Sequence, residues 1–224
     1  MKKHLTIIIL FCTVFLHAQF AIVQDKDGFV NVRNEGKIAN NIIDKLKSGT
    51  IVYALEPASA NWDWTTIIYS GEKTGVVSWN RLNFIGNFSA LRREETQDEL
   101  VIDNRFFVID IKTQKFSPKK NKLTKQDGII TEINGKNFWG SDGMMPETEY
   151  KSIEIMQGNK EIVVPKTEYE NLYSPDLSRT FAYFDKITKR LYITAENSDG
   201  AGSYALVFVF QDGKFIEKQL IIPF

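Results

Sequence analysis

Residues Tyr204 to Phe210 read YALVFVF, an unbroken apolar run closed by Gly202-Ser203 on one side and by Gln211-Asp212-Gly213 on the other. A run this short, rich in β-branched and aromatic residues, reads as a strand, and being apolar on both faces it suits the centre of a sandwich or of a strongly curved sheet. The Asp-Gly pair after it supplies the positive φ that a two-residue hairpin turn demands, so Phe215 to Ile222 is the returning strand. The same pattern recurs upstream, with Ile129 to Ile133 running into Asn134-Gly135, and Ile153 to Met156 passing through Gln157-Gly158-Asn159 to Glu161–Val164. A chain so organised is mainly β, and its last strand reaches almost to the C-terminus.

One stretch breaks the pattern. Ser89 to Leu100 (SALRREETQDEL) is strongly charged and opens on a Ser suited to a helix N-cap, so the spacing predicts a short linker helix. The predicted organisation is therefore a small domain at 19–86, a charged linker at 87–99 and an antiparallel β-sandwich or curved-sheet domain at 100–224. No internal repeat is evident.

The first 18 residues carry Lys2, Lys3 and His4, then an apolar run from Leu5 to Leu16, then the small Ala18. This is the order of a removable secretion signal, and the product is expected in the periplasm or outside the cell. The apolar run is about a dozen residues, too short to span roughly 30 Å of hydrocarbon as a helix, and no later run is longer; no membrane span is expected. A lipid anchor on Cys12 is disfavoured, because Phe11 precedes it and it lies in mid-run.

Both histidines and the single cysteine, His4, His17 and Cys12, fall inside that segment. An exported chain would thus lack imidazole and thiol, the side chains from which most acid-base pairs, nucleophiles and zinc sites are built. It would also lack disulfides, so each domain must be held by its apolar core, for which a content of 43% hydrophobic residues is adequate. Without Lys2 and Lys3 the 28 basic residues become 26 against 28 acidic ones, a net charge of −2. No global field then draws the protein to nucleic acid or to an anionic membrane, and partners must be recognised locally.

The segment from Phe20 to Ile85 contains Gly28-Phe29-Val30-Asn31-Val32-Arg33, then Leu46-Lys47-Ser48-Gly49-Thr50-Ile51-Val52, then Trp64 to Tyr69, then Gly71-Glu72-Lys73-Thr74-Gly75-Val76-Val77. These elements, in this order, resemble the bacterial SH3-like domain, with its G-x-x-NVR opening, L-x-x-G-x-x-V turn, tryptophan strand and final G-K-x-G-W-V hairpin. The resemblance covers under a third of the chain. It implies a small closed barrel of five or six strands, fused to envelope proteins and holding peptidoglycan, peptides or other envelope components. It departs from the pattern at Val76, where the family has tryptophan; Trp79 follows three residues later. Trp62, Trp64, Tyr69 and Trp79 are then ligand-stacking candidates if partly exposed, and core residues if not. Asn31 and Arg33 are either ligand contacts or fold-holding hydrogen-bonders.

Two loops of the second half concentrate polar chemistry: Phe138 to Glu149 (FWGSDGMMPETE) and Asn197 to Tyr204 (NSDGAGSY). Together they look like a pattern in uncharacterised bacterial envelope proteins, a likeness that implies no activity. Should the loops meet, Asp142, Glu147 and Asp199 suit a pair of carboxyls for glycoside hydrolysis, and Asp142 and Asp199 are weak calcium candidates. Ordinary turn chemistry explains the same residues, since Asp and Asn before Gly bond their own backbone. The lysines Lys115, Lys119, Lys120, Lys122 and Lys125 around Pro118 read as a solvated loop or as a grip on anionic polymer. No nucleophile elbow or phosphate-cradling glycine motif is present. The expectation is a noncatalytic exported binding or adaptor module of the cell envelope, without cofactor or bound metal, whose partner is a cell-wall glycan or peptide or an envelope protein. A carboxylate-dependent glycan hydrolase and a protein-binding inhibitor or immunity-type module are the alternatives.

Overall fold

The computed structural model describes residues 19–57 and 63–223. The expected signal segment and Trp62 lie outside the described residues. Within them all regular structure is β-strand or single-turn 3-10 helix, so the mainly β expectation holds. No helix there is long and apolar enough to cross a membrane.

The first unit is one antiparallel sheet of β1 (Gln19–Val23), β2 (Phe29–Arg33), β3 (Ile42–Lys47), β4 (Ile51–Pro57), β5 (Trp64–Tyr69), β6 (Lys73–Ser78) and β7 (Leu82–Phe84). Its spatial order is β3-β2-β6-β5-β4-β1-β7. Alternation along each strand sends Ala21, Val23, Val30, Val32, Leu46, Val52, Ala54, Ile67, Tyr69, Val77 and Phe84 into a single cluster, so the sheet curls around its own inner face. It does not close. The edge strands β3 and β7 share no hydrogen bonds, and β2 meets β6 only through Arg33 opposite Val76, which corrects the expected closed barrel to an open, curled sheet. Two local features oppose closure: β7 has three residues, and a bulge between Val32 and Arg33 shifts β3, leaving Ile42 and Ile43 exposed.

The second unit comprises β8 (Ser89–Ala90), β9 (Arg92–Glu95), β10 (Glu99–Asp103), β11 (Phe107–Lys115), β12 (Leu123–Gln126), β13 (Ile129–Ile133), β14 (Thr148–Gln157), β15 (Lys160–Val163), β16 (Thr180–Asp185), β17 (Arg190–Asn197), β18 (Tyr204–Gln211) and β19 (Lys214–Ile221). Two five-stranded sheets, β15-β14-β11-β10-β9 and β19-β18-β17-β16-β8, face each other, and β12-β13 stands apart as a hairpin. The expected hairpin turns are present: Asn134 and Gly135 have φ of 57° and 73°, and Asp212 and Gly213 have φ of 52° and 70°.

The predicted linker helix is absent. Residues 89–100 instead supply β8, β9 and the start of β10, with Leu91 buried at the corner where the chain passes from one sheet to the other. Tertiary pairing overrides helix propensity here. Ser89 and Ala90 pair with Phe184 and Tyr183 at the edge of one sheet, and β9 forms the edge of the other. The charges sit on that edge, where Arg92 bridges Asp103 at 2.7 Å, and charged edge strands resist stray pairing.

Strand β18 is buried along Tyr204–Phe210 because it faces two cores. Tyr204, Leu206, Phe208 and Phe210 enter the sandwich core with Leu100, Ile102, Ile109, Ile153 and Leu191. Ala205, Val207 and Val209 meet Phe20, Ile51, Tyr53, Ile68 and Ile85 from the outer face of the first sheet. The molecule is thus three stacked β layers, with the β16–β19 sheet in the middle.

Candidate functional sites

Three of the residues singled out from sequence, Asn31, Arg33 and Trp64, line one pocket of about 370 Å³ on the first unit, with Asp25, Phe29, Ile38 and Arg81. Arg33 Nη1 donates to Ala39 O and to Asn41 Oδ1, each at 2.8 Å, and so fastens the 34–41 loop as one wall. Gly36 of that loop rests on Trp64: a Cβ added there would lie 3.0 Å from the Trp64 Cβ, a tight contact that would make the loop or the ring give by a few tenths of an ångström. The guanidinium of Arg33 stands 5.9 Å from the centroid of the half-buried Trp64 ring. Arg33 therefore does what a fold-holding residue does while still bordering the pocket.

On the opposite wall, Asp25 is ion-paired with Arg81, and its carboxyl is held below the ordinary value, first by the Asp27 backbone N–H at 2.7 Å and then by Arg81. Ile38 is the rim residue, 87% exposed. Lys45 Nζ lies 4.0 Å over the Phe29 ring, so a cation already covers that aromatic. The other candidates go elsewhere. Tyr69 is buried in the inner core, and Trp79 is half-buried with its ring 4.4 Å from that of Phe84. No aromatic of the first unit is exposed among the described residues, so no stacking row for sugar rings is formed there. Ile38, Asp25 and Arg81 were not anticipated; the legible sign was an isoleucine stranded in the polar stretch Asn34 to Asn41.

In the second unit the two polar loops do meet. They border a cleft of about 810 Å³ lined by Asp142, Met144, Met145, Glu147 and Asp199, together with Glu95 and the Ser174–Arg179 segment. Their meeting is built from below. The buried Asn197 accepts from Asp176 N at 2.8 Å and donates to Tyr150 OH at 3.3 Å. Ser198 Oγ donates to Gly140 O at 3.2 Å, and Arg179 Nη2 donates to Ser198 O at 2.6 Å. Gly140 has φ of +97°, and a Cβ on it would fall 1.9 Å from Tyr173 O, so this position requires glycine. Burial pushes the Asp176 carboxyl upward, but hydrogen bonds from Ser178 and Arg179 outweigh it and the net shift is downward.

Asp142, Glu147 and Asp199 thus line one cleft. Among the described residues no group of three or more His, Cys, Asp or Glu side chains is placed to hold a metal ion. The lysines around Pro118 are all exposed, and Lys120 borders a further pocket of about 270 Å³. The cleft segment Ser174–Arg179 was missed in sequence; its sign was Asp176 two residues before Ser178, whose N–H and hydroxyl it accepts at 2.9 and 2.5 Å. Comparison with protein-family models, with curated proteins and with solved structures found no match in any of the three.

Proposed function

We propose that this chain is an exported, noncatalytic binding or adaptor protein of the bacterial cell envelope, and that its first unit is an opened variant of the SH3-like domain. Its ligand is a peptide or the peptide-bearing polymer of the wall. The supporting observation is the convergence of Asn31, Arg33 and Trp64 on one pocket with Ile38 on its rim. A pocket of a few hundred Å³ with an apolar rim and a few fixed polar groups suits a side chain of a peptide. The lack of an exposed aromatic row on the described part of that unit favours peptide over bare glycan. The segment 1–18 supports the export part of this reading: it has the order of a removable secretion signal, and its removal would also remove the single cysteine.

The test is retention of the mature chain on purified cell-wall sacculi, intact and after enzymatic removal of the peptide stems. Intact sacculi should retain it, stripped sacculi should not, and Ile38→Ser should weaken retention several-fold without lowering the melting temperature. Equal loss from both materials would defeat the proposal.

One observation favours a second reading, a glycan hydrolase, because Asp142, Glu147 and Asp199 line one cleft. Release of reducing ends from sacculi, abolished in Glu147→Gln, is the result that would establish it.

A further inference from the structure

The cleft of the second unit has a charge pattern that the proposed pocket lacks. Five carboxylates line it, Glu95, Asp142, Glu147, Asp176 and Asp199, against the single cation Arg179. Arg179 is committed to Asp176 at 2.7 Å, and Glu95 to Arg93 at 2.6 Å. Asp142, Glu147 and Asp199 are exposed and have no ion-pair partner among the described residues. Their field is therefore uncompensated within the cleft and open to an incoming cation.

The same walls carry apolar surface. Met144 is 72% exposed and Met145 40%, side by side on the loop that bears Asp142 and Glu147. Methionine is unbranched and polarisable, and exposed methionines are a common means of gripping varied apolar side chains. The loops beneath are fixed by the buried Asn197–Tyr150 contact and by the Ser198–Gly140 bond, so the cleft is formed before any ligand arrives.

We propose that this cleft docks a cationic peptide segment of a partner protein, with lysine or arginine set among aliphatic residues. The carboxylates of Asp142, Glu147 and Asp199 receive the cations, and Met144 and Met145 cover the aliphatic side chains. A free metal ion or polyamine would use the carboxylates and ignore the methionines. A glycan would find no stacking aromatic among the residues lining the cleft. With the pocket of the first unit, the molecule would then offer two separate docking points, one on each unit.

The experiment is fluorescence anisotropy of the full mature chain with a short labelled peptide alternating lysine and leucine, and with its glutamate-for-lysine counterpart. The lysine peptide should bind and the glutamate peptide should not. Asp142→Asn combined with Asp199→Asn should weaken binding about tenfold, and salt near molar strength should weaken it likewise in the unaltered chain. Met144→Ser with Met145→Ser should weaken it several-fold, and Ile38→Ser should leave it unchanged, which separates this site from the pocket of the first unit. Equal binding of the two peptides, or indifference to the Asp→Asn pair and to salt, overturns the proposal. Displacement by millimolar calcium together with indifference to the methionine pair also overturns it, in favour of a bare cation site.

Discussion

Toward the sandwich, β18 presents Tyr204, Leu206, Phe208 and Phe210; toward the first unit it presents Ala205, Val207 and Val209. One face supplies bulk that interdigitates with the opposite sheet, and the other is low and smooth. The missing volume on the smooth side comes from the partner layer, through Phe20, Ile51, Tyr53, Ile68 and Ile85. Both faces are buried, yet they bury different chemistry: a core within one unit, and a seam between two. Sheets packed face to face need about 10 Å between backbones, and that gap can be filled from either side or from one. Here the sandwich fills it from both sides, whereas along β18 the seam is filled from the first unit, with Tyr192 and Ile221 adding bulk from the flanking strands.

The largest effect should come from the bulky face. Phe208 is 2% exposed within the sandwich core, and Phe208→Ala leaves a cavity that neighbouring side chains can close only in part. The expected loss is about 3–5 kcal/mol, enough to bring a domain of ordinary stability close to its unfolding threshold. Urea unfolding followed by near-ultraviolet circular dichroism measures it; a loss below about 1 kcal/mol would mean that the sandwich core is not packed as described.

Val207 is fully buried on the smooth face, and Val207→Ala should cost about 2 kcal/mol. The informative quantity is the shape of the transition. If the seam makes the layers unfold together, the variant keeps one transition with an unchanged urea slope. Two separated transitions would show that the units are independent and that the seam is weaker than its burial implies.

The two faces also differ in how much of them the sequence discloses. YALVFVF announces that both sides of β18 are covered, and the Asp212-Gly213 turn places its hairpin neighbour β19, because φ preferences are local. What covers the second side is not local: Phe20, Ile51 and Tyr53 lie more than a hundred residues away, and although the runs FAIV and IVYAL are also apolar on both faces, nothing in them says that they meet β18. The misreading of Ser89 to Leu100 has the same origin. Its composition favours a helix, and only pairing with β16 and β10 makes it an edge strand. The functional residues divide likewise. Asn31, Arg33 and Trp64 are visible through strand pattern, and the two Asp-Gly loops through their turn chemistry. Ile38, Asp176 and Arg179 owe their places to contacts across the fold.

The smallest effect belongs to a polar contact across the seam, Tyr53 OH to Glu196 Oε1 at 3.4 Å. At that length the bond is weak, and Tyr53→Phe keeps the ring's packing, so near neutrality the change should cost under about 1 kcal/mol. Alkaline pH sharpens the comparison. Burial, and then the charge of Glu196, hold the Tyr53 phenol well above its ordinary value of 10.0. Tyr150 and Tyr204 in the sandwich are raised as well, both chiefly by burial. A phenol whose folded value is raised contributes its stability in full below 10 and loses it as pH climbs from there toward the folded value, since the unfolded chain ionises first. Stability should therefore fall above pH 10 in the unaltered protein, less steeply in Tyr53→Phe, and least in a variant that also carries Tyr150→Phe, because the seam holds one such phenol bonded to an acid and the sandwich holds two in full burial. Parallel slopes for the unaltered chain and Tyr53→Phe would place that hydroxyl in water, and the smooth face of β18 would then be a wet seam and not a dry one.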